Sequence, residues 1–148
     1  MFGEVIYSYT RKQAIEDGVL IDVSSMAEEA GFKIPVAITA GVHSLINNIP
    51  ESKSWQDYKG RLWDVLWMGK IGIRNNRDSG EFRYKITLPH LEKKEVYYKP
   101  KIDIKKGIYK DGYYKEKNVM VENVTLKIAI TGGDDGEPVI TIMLPNED

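Results

Sequence analysis

The sequence predicts an α+β domain in which an antiparallel sheet of three or more strands, a β-meander of the C-terminal half, packs on N-terminal helices. Three observations carry that expectation. Helix capping signatures and apolar spacings of three and four residues crowd the first half of the chain, strict apolar-polar alternation begins near Phe82, and a short glycine-rich loop joins the last two strand-like runs. With 148 residues, 42% of them hydrophobic and 29% charged, the chain has the length of one domain and a composition that buries a core.

The elements follow in order. Thr10-Arg11-Lys12-Gln13 is a capping box that starts a helix over about Arg11 to Asp17, and Gly18 fits the left-handed position that closes it. Val19 to Val23 has the branched residues of a short strand. Ser25-Met26-Ala27-Glu28 repeats the capping signature and Gly31 the stop, so a second short helix lies between them. Pro35 suits a first helical turn, with Ile38, Val42, Leu45, Ile46 and Ile49 on one helical stripe up to Pro50. Ser54, Trp55 and Asp57 mark another start, and Gly60 divides a lead-in from a main helix, Arg61 to about Ile73. That helix carries Leu62, Leu66, Gly69 and Ile73 on one stripe and Trp63, Trp67 and Lys70 on the next, which predicts a central helix buried over most of its circumference.

After the polar turn Asn75–Gly80, the residues Phe82, Tyr84, Ile86 and Leu88 alternate with Arg83, Lys85 and Thr87, as in a strand with one face on a core. Val124, Leu126, Ile128 and Ile130 repeat the pattern, and Val139 to Leu144 is apolar on both faces, as a covered strand is. Thr131 to Glu137 reads as their hairpin loop.

The segment from Lys93 to Lys117 differs from its surroundings. It holds nine lysines against Glu95, Asp103, Asp111 and Glu116, a balance of +5, while residues 118 to 148 hold six acids against Lys127, a balance of −5. We read it as an inserted arm of a single domain, turned at Lys110-Asp111-Gly112. Its candidate contact residues are Tyr97, Tyr98, Lys105, Lys106, Tyr109, Lys110, Tyr113, Tyr114 and Lys115. Lysines neutralise phosphates and tyrosines stack on unpaired bases, so single-stranded nucleic acid is one partner; tyrosine among flexible charges also suits a protein interface. The bland reading, placed first, is a solvated hairpin whose tyrosines pack back on the sheet.

Chemistry is sparse elsewhere. With no cysteine, thiolate metal sites, disulfides and cysteine nucleophiles are excluded, and the two histidines, His43 and His90, sit in no metal-spacing pattern and read as structural. Serine-hydrolase elbows, Walker loops and dinucleotide fingerprints are absent, so the expectation is no catalytic residue, no metal and no cofactor. Asp134, Asp135 and Glu137 supply oxygen atoms but lack cation-loop spacing, and read as a hairpin turn. Asp64 reads as an ion-pair partner of Arg61 or Lys70. Trp55, Trp63, Trp67 and Tyr58 read as core packing, against the alternative of a pocket formed by Arg61, Asp64, Trp67 and Tyr84. A net charge of −1 argues against bulk polyanion coating. An acidic amino terminus and an apolar stretch, Val65 to Ile73, interrupted by Lys70 predict no membrane partner and a cytoplasmic protein. Open sheet edges permit a homodimer without selecting one.

The blocks Gly3–Arg11, Ala14–Leu20, Glu29–Phe32, Pro35–Thr39, Gly60–Met68 and Gly136–Pro145 resemble an uncharacterised bacterial family encoded on plasmids, conjugative elements and phages. The arm lies outside these blocks. The resemblance implies an accessory role on a mobile element, in three classes. The one placed first is a non-catalytic protein that binds a host defence or regulatory protein. The second is a nucleic-acid accessory factor using the arm, and the third a small-molecule binder with a pocket near Trp63.

Overall fold

The computed structural model describes residues 9–148. The acidic amino terminus and the block beginning at Gly3 lie, up to Ser8, outside the described residues. The order is α1 (Arg11–Glu16), β1 (Leu20–Asp22), α2 (Ser24–Glu29), β2 (Val36–Thr39), α3 (Ala40–Asn47), a 3-10 turn (Glu51–Lys53), α4 (Tyr58–Asn75), β3 (Glu81–Tyr98), β4 (Lys101–Asp103), β5 (Ile108–Lys110), β6 (Tyr113–Gly132) and β7 (Pro138–Met143). Five strands form one sheet in the order β1-β2-β7-β6-β3, and β4-β5 form a separate two-stranded ladder.

The α+β class and the antiparallel meander β3-β6-β7 agree with the sequence. Two features correct it. The sheet is mixed, because β2 lies parallel to β7 with Ile38 opposite Ile142, and it is not confined to the C-terminal half, since β2 and the short strand expected at Val19–Val23, found as β1, both join it. Ile38 therefore belongs to a strand rather than to the helical stripe expected from Pro35. Val36-Ala37-Ile38-Thr39 is a buried run seated between two strands, and Thr39 then caps α3 by accepting from the Val42 amide at 3.2 Å.

The capping box of α1 is formed reciprocally between Thr10 and Gln13, at 2.9 and 3.0 Å. Asp134, in the β6–β7 loop, accepts from the Arg11 and Lys12 amides as well, at 2.8 and 3.0 Å. Loop and helix thus complete each other. The second expected capping box does not form. α2 begins at Ser24, which instead ties the β2 amide of Val36 at 3.0 Å. Gly18 and Gly31 take the positive φ expected of helix stops. α4 runs unbroken through Gly60, whose amide is the one Asp57 caps at 2.7 Å.

The core lies between the helices and one sheet face, where Ile38, Ile46, Leu62, Val65, Leu66, Ile86, Leu88, Leu126, Ile128 and Ile142 are buried. α4 buries one face only: Trp67 is 44% exposed, with Met68 and Ile71 also exposed. This corrects the expectation of a helix buried over most of its circumference, since a helix layer lying on one sheet turns its far side to solvent. Trp55, 77% exposed, is not core either. Trp63 and Tyr58 do pack against the core as expected, while the exposed Trp67 stacks on Trp63 at 6.0 Å, with Lys70 Nζ 5.3 Å from the Trp67 ring centre.

Candidate functional site

Beyond the core sheet, β3 and β6 continue as a two-stranded ribbon. A register shift between Thr87 and His90 separates the two parts, and nine pairs follow, His90↔Val121 through Tyr98↔Tyr113. At the rise of an extended strand these nine residues reach about 30 Å. His90 sits at the base, buried, held between the Leu88 carbonyl at 2.7 Å and Glu92 at 3.0 Å. The ribbon touches the helical layer through Asn48, whose side chain donates to the Leu91 carbonyl at 2.8 Å and accepts from its amide at 3.1 Å.

The pleat sorts the ribbon's side chains. Residues directly opposite share a face, so Lys94, Lys115 and Lys117 lie on one face with Val96, Val119, Glu92 and the Tyr98/Tyr113 pair. The other face carries Lys93, Glu95, Glu116, Asn118 and the Tyr97/Tyr114 pair. One face is basic and the other slightly acidic. Lys94 stands opposite Lys117, and in the tip ladder Lys101 stands opposite Lys110. Like charges placed directly across a ladder destabilise it. The Lys94 ammonium has Glu92 at 3.9 Å, a long contact between exposed groups that offsets little of that repulsion.

The tyrosines pack across the strands, Tyr98 on Tyr113 at 5.1 Å and Tyr97 on Tyr114 at 5.0 Å, rather than back on the core sheet. The turn lies at Ile104–Gly107, between β4 and β5, which corrects its expected place at Lys110-Asp111-Gly112. Gly107 adopts φ +64 there, while Asp111 and Gly112 link β5 to β6. All nine candidate contact residues thus fall within the arm: Lys115, Tyr98 and Tyr113 on its basic face, Tyr97 and Tyr114 behind it, and Lys105, Lys106, Tyr109 and Lys110 at the tip. Sequence reasoning missed Lys94, Lys101 and Lys117, because only the register shows which lysines share a face. It also missed Ile102, Ile104 and Ile108, which are exposed at the tip.

The four pocket candidates do not converge on one cavity. The Arg61 guanidinium, 3% exposed, donates to the carbonyls of Ile46 (2.8 Å), Leu45 (3.1 Å) and Asn48 (3.3 Å) and to Gln56 Oε1 (2.7 Å). Burial lowers its pKa, and the nearby Asp64 charge opposes that. None of the described ion pairs joins Asp64 to Arg61 or Lys70, which corrects the expected pairing. The Tyr84 hydroxyl donates to the Val65 carbonyl at 3.0 Å, and desolvation beneath α4 raises its pKa. Asp64 and Trp67 border a shallow depression that neither Arg61 nor Tyr84 lines.

A larger cleft of about 720 Å³ opens beside Thr39, Lys127 and Thr141. Several of its polar groups are engaged by the chain itself: Thr39 donates to the Glu147 carboxylate at 2.7 Å, and Lys127 donates to the Glu147 carbonyl at 2.6 Å and pairs with Glu81 at 3.2 Å. Among the described residues, no buried side-chain polar atom lacks a partner and no group of three His, Asp or Glu is placed to hold a metal ion. No helix among them is long and apolar enough to cross a membrane.

No curated protein and no solved structure shows a significant match to the chain. A family model matches residues 2–109, which takes in the first strand and the tip of the arm, so the arm is not wholly outside what relatives share, as the resembling blocks suggested. By that match, covering well over half its length, the chain belongs to a family of unknown function, DUF6573.

Proposed function

We propose that the protein is a non-catalytic nucleic-acid-binding accessory factor of a mobile genetic element, and that it grips its nucleic acid with the basic face of the arm. The observation that supports this is the pairing of Lys94 with Lys117 beside Lys115 on one face of an exposed ribbon whose like-paired acids, Glu95 and Glu116, lie on the other face, with a second lysine pair, Lys101 and Lys110, in the tip ladder. A ladder that sets ammonium against ammonium carries repulsion that a row of phosphates relieves. Tyrosines already packed on one another are poorly placed to receive splayed single-stranded bases. Duplex is therefore the favoured form. The mobile-element context comes from the resembling sequence blocks.

Binding of a labelled duplex and of the matching single strand, followed by fluorescence anisotropy between about 50 and 200 mM salt, tests the proposal. Each lysine in phosphate contact contributes about 0.9 to the slope of log affinity on log salt concentration, so the triple variant Lys94→Gln, Lys115→Gln, Lys117→Gln should flatten it by nearly three. Absence of binding at low salt, or an unchanged slope in the variant, overturns the proposal. A host protein retained on the chain at salt that removes nucleic acid would return the function to antagonism of a host protein.

A further inference from the structure

Ile104 is 90% exposed at the far end of the arm, where nothing in the fold requires an isoleucine. The turn that presents it is closed by local bonds: the Gly107 amide donates to the Ile104 carbonyl at 3.4 Å, and the Asp103 carboxylate accepts from the Lys105 and Lys106 amides at 3.1 and 3.3 Å. A β-branched side chain has few rotamers to lose, so it stands at the tip as a stiff apolar wedge. Lys105 and Lys106 follow it directly, and the Lys101/Lys110 pair stands behind it at the far end of the three-pair ladder, about 10 Å away.

We infer that the arm tip enters the minor groove of double-stranded DNA and that Ile104 wedges between two base pairs and bends the duplex. The inference rests on the nucleic-acid reading above and specifies its ligand and its effect. Two arguments favour it over a protein-docking tip. In the chain the apolar residues stand among Lys101, Lys105, Lys106 and Lys110, which outnumber Asp103 and Asp111, and lysine is depleted from the cores of protein interfaces. Apolar side chains projecting from a narrow, basic element are what partial unstacking from the minor groove uses, with lysines on the flanking phosphates offsetting its cost. The easiest site for such a wedge is a pyrimidine–purine step, which unstacks at least expense.

The experiment uses the full chain and a duplex of about three helical turns with a central TA step and a fluorophore at each end, so that bending raises energy transfer while anisotropy reports affinity. Wild type should bind and raise the transfer efficiency. At protein concentrations that saturate the anisotropy, Ile104→Ser, at a position that contributes nothing to the core, should leave the transfer at the level of free duplex. If wild type binds without bending, or if Ile104→Ser bends as wild type does, the wedge is refuted while the binding function stands. If wild type fails to bind the duplex, the reading beneath the wedge fails with it. A tip that captures a protein while leaving DNA straight assigns the isoleucines to a protein partner and overturns the inference.

Discussion

Arg61 shows how one side chain can hold two helices together without an acidic partner. Its guanidinium gathers the carbonyls of Leu45, Ile46 and Asn48, which end α3, so a positive charge closes the negative end of that helix from α4. Gln56 takes a further donor, which ties in the segment ahead of α4. Replacing Arg61 with Met keeps the stem and removes every donor, leaving the carbonyls in a site that water scarcely reaches. The expected loss is about 3 kcal/mol, read as a lower urea midpoint with an unchanged slope. A loss below about 0.5 kcal/mol would show that α3 ends without this cap. Sequence alone points to an ion pair of Asp64 with Arg61 or Lys70, because spacing along a helix suggests partners on the same helix and is silent about carbonyls on another.

At the scale of elements, what the sequence disclosed depended on whether the signal was local. The Thr10 capping box, the left-handed glycines, the alternation in β3 and β6 and the two-faced apolar run of β7 are set by neighbours in the chain, and each agrees with the structure. β2 was misread because Ile38 and Val42 are four residues apart, a spacing that satisfies a helix, while its pairing with β7 joins residues about one hundred positions away. The arm was legible as a basic excursion, but its sidedness came only with the register. α4 illustrates the same division: its apolar stripe predicted contact with the sheet, whereas the closeness of that contact did not show. A methyl group added at Gly69 would stand 2.9 Å from Ile128 Cδ1 and 3.3 Å from the Tyr84 hydroxyl. Gly69→Ala should therefore be destabilising by about 1 kcal/mol net, even though alanine favours a helix by about that much, because overpacking against a buried isoleucine outweighs the propensity. Chemical denaturation measures it, and a stabilised variant would mean that α4 is free to lift from the sheet.

For the whole molecule, the distribution of contacts separates a body from an appendage. The core is closed by long-range pairings: β2 on β7, the Asp134 loop on α1, and Glu147 bridging Thr39 to the Leu144 amide at 2.9 Å. Apart from its continuity with β3 and β6, the ribbon is joined to that body by Asn48 at Leu91 and by Ser52, which meets Met120 Sδ at 3.8 Å. A two-stranded ribbon is marginal in water by itself, so it draws stability from the body and returns little. Excising Leu91 to Met120 and joining His90 to Val121 through Asn-Gly should consequently leave a cooperative unfolding transition, with stability changed by less than about 2 kcal/mol. Duplex binding should disappear in the same protein. Loss of the cooperative transition would show instead that the arm is part of the folding unit, and binding that survived the excision would place the nucleic-acid surface on the body.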